Sequence, residues 1–124
     1  AKQPRSGRVA VTMAGLAGDA QGDTRRHGGP DKAVHHYPMD HYDGWRREID
    51  PAPPVLDAPG AFGENLSTLR LTEETVCAGD VFRAGTALLQ VSQARQPCWK
   101  LNHRFDVADM ARRVQAGGRT GWYY

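Results

Sequence analysis

Cysteine is scarce in this chain of 124 residues, occurring only as Cys77 and Cys98. Two are too few for the disulfide framework that holds small secreted domains together. Long apolar runs are missing as well. No stretch approaches the roughly 20 residues that a membrane-spanning helix needs, and the first residues lack the charged, apolar and small-residue order of a secretion signal. The expectation is a cytoplasmic protein with no membrane partner. Charge of one sign is not in excess: 16 lysine and arginine residues stand against 14 aspartate and glutamate, a formal net charge of +2. That is far from the basic footprint of a nucleic-acid binder. Lysine itself is limited to positions 2, 32 and 100. The arginines that replace it suit planar contacts to carboxylate or phosphate, although biased codon usage explains the same count. Internal repeats and low-complexity tracts are absent. Membrane proteins, coiled coils, disulfide-stapled toxins and disordered tails are set aside.

What is present is the composition of an ordinary globular domain, 40% hydrophobic and 24% charged. The length fits one domain over residues 1–124 with one small core. Fourteen glycines and eight prolines favour a turn-rich fold over a helical bundle. Val9 to Met13 reads as a strand and Ala33 to Tyr37 as a short buried one. Pro38 suits the first turn of a helix, whose apolar face is Tyr42, Trp45 and Ile49, ended by Asp50-Pro-Ala-Pro-Pro54. Ala58 to Leu71 is a second turn-rich segment. Val81 to Arg83 and Ala87 to Ser92 form a hairpin around Ala84-Gly85, with Ala87, Leu89 and Val91 on one face. The spacing predicts a last helix over Val107 to Ala116, with Asp106 as its N-cap, Gly117 as its stop, and Val107, Met110, Ala111 and Val114 as its buried face. Short strands with two or three helices make a mainly β fold with a few helices, most simply a small barrel.

Three groups of residues carry candidate chemistry. Gly18-Asp-Ala-Gln-Gly-Asp23 and His27-Gly-Gly-Pro-Asp-Lys32 form a polar run whose glycines let backbone N–H groups turn inward as an anion cradle. Arg25, Arg26 and Lys32 add charged contacts for a phosphate. The Gly-Lys-Ser/Thr order of a P-loop is missing, and a solvated turn-rich loop is the plain alternative. Cys98 lies in Ser92-Gln-Ala-Arg-Gln-Pro-Cys-Trp-Lys100, close in sequence to Arg95 and Lys100. Cationic neighbours favour the thiolate, which is both nucleophile and metal ligand; the alternative is a buried structural cysteine. Cys77, before a strand and among apolar neighbours, reads as the structural kind. The five histidines, His27, His35, His36, His41 and His103, have no zinc-type pair spacing. A serine hydrolase lacks its G-x-S-x-G elbow. A thiol enzyme with Cys98 as nucleophile and His27 or His36 as base stays open.

Taken together, these segments resemble the MOSC family, the domain found at the C-terminus of molybdenum cofactor sulfurases, and within it the YiiM-like branch. The resemblance is carried by Gly18-Asp-Ala-Gln-Gly-Asp23, His27-Gly-Gly-Pro-Asp-Lys-Ala33, His36-Tyr-Pro38, Phe62-Gly-Glu-Asn-Leu-Ser67, Leu71-Thr-Glu73, Gly79-Asp80, Ser92-Gln93, Arg95, Pro97-Cys98, Lys100-Leu-Asn102 and Gly118-Arg-Thr-Gly-Trp122. It implies a MOSC-type β-barrel that binds a pterin-type molybdenum cofactor, molybdopterin. It also implies an oxidoreductase that detoxifies small N-hydroxylated bases and related compounds with electrons from a flavin reductase. By motif position, the cofactor-binding residues are Asp19, Gly22, Asp23, Arg25, His27, Gly28, Gly29, Lys32, Asn65, Gln93 and Arg95. Cys98 ligates molybdenum or carries sulfur, and His27 or Lys32 supplies protons. A non-catalytic carrier of the cofactor or of sulfur rests on the same residues. A zinc- or phosphate-binding structural module is the reading from another class. Family members usually run further at both ends, so the barrel is expected to be truncated at both ends. Lys2 is then the one candidate for the active-site residues of the lead-in, and open strand edges favour self-association, with a homodimer as its simplest form.

Overall fold

Four consecutive residues, His35–Pro38, are buried in full and form strand β3. Burial of every residue in a strand requires partners along both edges and cover on both faces. The computed structural model, which describes residues 2–19 and 28–124, supplies all of these. On one edge β3 pairs in parallel with β4 (Leu66–Thr68), and on the other it pairs antiparallel with β8 (Trp122–Tyr123). Strand β7 (Gln93–Ala94) pairs antiparallel with β8 and completes the sheet in the order β4-β3-β8-β7.

The period of two along a strand divides this sheet's side chains between two cores. On one face Tyr37 stacks on Phe62 with ring centroids 3.8 Å apart. That face continues into Tyr42, Trp45, Leu56, Phe105, Met110 and Val114. On the other face His36 lies against Trp122, 4.6 Å between centroids, beside a second cluster that includes Val34, Leu89, Val91 and Tyr124. The hairpin β5 (Val81–Ala84) and β6 (Ala87–Gln90) covers this second cluster with Phe82 and Leu89. A short hairpin of β1 (Val11–Thr12) and β2 (Gly15–Leu16) precedes the sheet.

Helix α1 (Tyr42–Glu48) follows β3 after one turn of 3-10 helix, Met39–His41. Its expected face holds: Tyr42, Trp45 and Ile49 are all buried, and Trp45 has no exposed surface. The Trp45 indole N–H donates to the Tyr37 hydroxyl at 2.8 Å, which satisfies two polar atoms inside the aromatic core.

The C-terminal helix differs from the sequence expectation. Two helices occupy the region, α2 (Lys100–Phe105) and α3 (Met110–Gly117). Asp106 ends α2 in the left-handed conformation (φ 53°) instead of capping α3. Asn102 takes the capping role, its side-chain oxygen accepting from the Ala111 N–H at 2.7 Å. Leu101 and Phe105, four apart and both buried, are the whole apolar signal of α2, which is too short to register as a period. The strand expected over Val9 to Met13 shrinks to β1, and β7 falls where an irregular segment was expected. The expected barrel also differs. Among the described residues the strands form three sheets of two, four and two strands, with no closed barrel. Cys77 is corrected too: it is exposed, not buried, because its turn faces solvent with its N–H bonded to the Asp80 carboxylate.

Gly121 is the tightest point of the sheet. Its φ is +69°, and a Cβ there would lie 2.3 Å from the His36 carbonyl oxygen and 3.0 Å from His35 Nε2. Both the left-handed backbone and the close approach demand glycine. Gly121→Ala is expected to cost at least about 2 kcal/mol, read as a lower midpoint in chemical denaturation; an unchanged midpoint contradicts this packing.

Candidate functional site

A pocket of about 230 Å³ opens on the Tyr37 side of the sheet. The strand period builds its floor. His35 and Tyr123 are opposed residues of β3 and β8, and Arg95, two residues beyond Gln93, falls on the same face as Tyr123's partner Gln93. The 60–65 turn contributes Phe62, Gly63 and Asn65, α2 contributes Lys100, Leu101 and Arg104, and Cys98 lies just before it. Gly28, Lys32 and Lys2 complete the wall. Among the described residues five lining side chains are cationic and none is a carboxylate.

Asn65 ties the walls together. Its side-chain oxygen accepts from the His35 N–H at 2.9 Å, and its own N–H donates to the His35 carbonyl at 2.8 Å. Its amide nitrogen donates to the Asp19 carboxylate at 2.9 Å. The same Asp19 oxygen receives the Lys2 ammonium at 2.8 Å. Asp19 thus sits behind the pocket wall and holds two residues that line it.

Arg95 is 7% exposed. Its Nη2 donates to the Phe62 carbonyl at 3.3 Å, while the buried Nε and Nη1 meet no hydrogen-bond partner among the described residues. Buried guanidinium donors are rarely left unpaired. Leaving such a group unsatisfied costs roughly 1–3 kcal/mol, more when it is charged. Burial draws the Arg95 pKa down, and the fields of Tyr123, then Cys98, oppose it. Burial likewise pushes the Tyr123 phenol up, with Arg95 pulling the other way. Lys32 stands over the Tyr123 ring, 5.9 Å from its centroid.

The expected site residues fall into four groups. Gly28, Lys32, Asn65, Arg95 and Cys98 meet in the pocket. Asp19 supports it from behind. Gln93 and Gly29 do not line it: the Gln93 amide donates to the Asp31 carbonyl at 3.4 Å, and Gly29 begins the Pro30–Lys32 turn that carries Lys32. Gly22, Asp23, Arg25 and His27 lie outside the described residues. His35, Phe62, Gly63, Leu101, Arg104 and Tyr123 also line the pocket, without a site role assigned to them from the sequence. Recognition of α2 would have placed Lys100 and Arg104 four apart beside Cys98, and alternation from Trp122 would have turned Tyr123 to the opposite face.

Two other histidines, His36 and His41, have structural partners. His36 Nδ1 lies 2.8 Å from the Tyr124 hydroxyl and Nε2 lies 2.7 Å from Thr68 Oγ1. His41 Nε2 meets Glu73 at 2.7 Å. Among the described residues, no three His, Cys, Asp or Glu side chains group around one point. Among the same residues, no helix is long and apolar enough to cross a membrane.

Burial, then the Arg95 charge, lowers the His35 pKa well below 6.5, and burial lowers that of His36 against the fields of Glu73 and Glu64. Both are neutral in the fold at pH values where the unfolded chain begins to protonate them. As pH falls through 6.5 the unfolded state takes up protons that the folded state refuses, so stability is full above that value and declines below it. Denaturation midpoints measured from pH 8 down to pH 5 are expected to fall from about pH 6.5, and less steeply in His36→Gln; a flat profile contradicts the buried neutral pair.

Comparison with known proteins adds independent findings. The family model for the MOSC domain matches residues 23–124. Protein YiiM of Escherichia coli is 51% identical over 124 residues, covering all of this chain and 55% of that protein. YflK of Bacillus subtilis is 48% identical over 123 residues, covering 99% and 54%. A protein named "Reductase" from Gibberella moniliformis is 43% identical over 122 residues, covering 98% and 21%. The crystal structure of E. coli YiiM superposes with a TM-score of 0.82 at 48% identity, over 94% of this chain and 53% of that one. The chain spans about half the length of these bacterial relatives.

Proposed function

The chain belongs to the MOSC domain family, in its YiiM-like branch, and from that premise we propose that the pocket receives a pterin-type molybdenum cofactor and that the protein is an oxidoreductase of small N-hydroxylated compounds. The observation that carries this reading is the meeting of Cys98 with Arg95 in one cationic pocket. The two unpartnered buried nitrogens of Arg95 suit an anionic group such as a phosphate, which returns the missing hydrogen bonds in charge-assisted form. Among the described residues no imidazole or carboxylate cluster joins Cys98, and such a thiol suits a soft metal whose other donors arrive on an organic carrier. The group fits the residues present.

In this reading Cys98 is the protein's metal ligand. Arg95 and Lys2 would hold the cofactor's phosphate and pterin, with Asn65, fixed on β3 and Asp19, supporting the same wall. When bound, the cofactor supplies the two-electron redox chemistry, which the chain's own side chains do not provide. Reduction of an N–OH group to N–H consumes two electrons and two protons and releases water. Lys32, at the pocket wall, is the described residue placed to deliver a proton, with His27 as the second donor. Electrons come from a separate flavin reductase.

The reductase-named relative favours turnover over a carrier role. With a flavin reductase and N-hydroxylaminopurine, the purified protein is expected to hold molybdenum and to form the reduced base, and Cys98→Ser to lose at least tenfold in both metal content and rate. Undiminished metal and rate in Cys98→Ser overturn the role of Cys98, and bound molybdenum without turnover in the parent protein favours the carrier.

A further inference from the structure

Glu64 does not line the pocket, yet its carboxylate is 4% exposed and accepts four hydrogen bonds. Oε1 receives the Tyr42 hydroxyl at 2.5 Å, the Gly60 N–H at 2.9 Å and the Ser67 hydroxyl at 2.9 Å. Oε2 receives the Phe62 N–H at 3.0 Å. Two of these donors are backbone groups of the turn that carries Phe62, Gly63 and Asn65 into the pocket wall. The other two come from α1 and β4, so one carboxylate fastens the turn to both neighbours. Gly63 makes the closure possible. Its φ is +79° and a Cβ there would touch nothing within 4 Å, so the requirement is conformational and not spatial. The reversal at Gly63 lets the Glu64 side chain reach back to the Phe62 N–H while the Phe62 carbonyl receives Arg95 Nη2.

We propose that Glu64 is the positioning residue of this pocket: by folding the 60–65 turn around its carboxylate, it holds the Phe62 carbonyl that fixes the Arg95 guanidinium where an anionic ligand meets it. The inference rests on the reading that the pocket takes an anion. Glu64 touches neither ligand nor metal and acts through Phe62 and Arg95. Burial draws Arg95 down, and the Glu64 charge is among the fields that oppose this, so the same carboxylate helps to keep the guanidinium charged.

Glu64→Gln tests this with little change of shape. The amide keeps one oxygen for the three donors at Oε1, but its NH₂ replaces Oε2 and faces the Phe62 N–H, donor against donor. The probe is inorganic pyrophosphate, titrated by calorimetry into the purified protein at low ionic strength. Glu64→Gln is expected to bind about tenfold more weakly than the parent protein, as is Arg95→Gln, and the double variant no more weakly than Arg95→Gln alone. A residue that only stabilises the fold would weaken binding by the same factor in either background, or lower the melting temperature with affinity intact. Parent-like affinity in Glu64→Gln, or losses that multiply in the double variant, overturn the proposal. No binding by the parent protein overturns the anion reading of the pocket, and the proposal with it. Should Glu64→Gln fail to fold, Tyr42→Phe removes a single donor from Oε1. It is expected to weaken binding about threefold in the parent background and not at all in Arg95→Gln, and affinity unchanged in the parent background overturns the proposal.

Discussion

Strand β8 is threaded between β3 and β7 and bonds to both, and its flanking residues extend the stitching. The Tyr124 N–H donates to the Val34 carbonyl at 2.8 Å, the Ser92 N–H to the Tyr123 carbonyl at 2.9 Å, and the Arg95 N–H to the Gly121 carbonyl at 3.1 Å. The Glu73 carboxylate anchors the strand's start by accepting the Gly121 N–H at 2.8 Å, while its other oxygen meets His41. Burial alone would raise the Glu73 pKa, but the hydrogen bonds from His41 and from backbone N–H groups, Gly121's among them, win and hold it below its usual value. This short segment therefore fixes the lateral position of every strand from which a pocket residue projects.

The pocket is built from donors and the core from rings. On the Tyr37 side the sheet passes within a few residues from an aromatic cluster, where Tyr37, Phe62 and Phe105 share faces and edges, to a surface of ammonium and guanidinium groups. Phe62 belongs to both regions. Its ring stacks in the core, its carbonyl receives Arg95, and its N–H is held by Glu64. Positioning of charge in the pocket is thereby supported by hydrophobic packing, which is short-ranged and stiff, and not by the looser geometry of surface ion pairs.

How much of this was readable from the sequence depended on the range of the interaction. The face of α1 was readable because Tyr42, Trp45 and Ile49 repeat at helical spacing, and the hairpin because Leu89 and Val91 alternate. Cys98, Arg95, Lys32 and Asn65, named by the family's motifs, meet in one pocket. The two-helix ending was not, because a six-residue helix with two apolar residues has too little period to detect. Nor was the exposure of Cys77, since apolar neighbours in sequence are not neighbours in space. The role of Glu64 was not legible, because its four donors come from positions 42, 60, 62 and 67 and converge only once the turn is closed.

The alternation along β3 and β8 bears on how the chain tolerates insertions and deletions. His35 and Tyr123 face the pocket while His36 and Trp122 face the opposite cluster. A single residue gained between Gly121 and Trp122 would exchange these pairs, sending an indole into the cationic pocket and a phenol into an apolar core. Length changes in the β5–β6 hairpin turn around Gly85, where a Cβ would meet nothing within 4 Å, would exchange nothing of the kind. Sequences that drift in length while keeping this pocket should therefore vary at the hairpin and hold the Gly121–Tyr123 spacing constant.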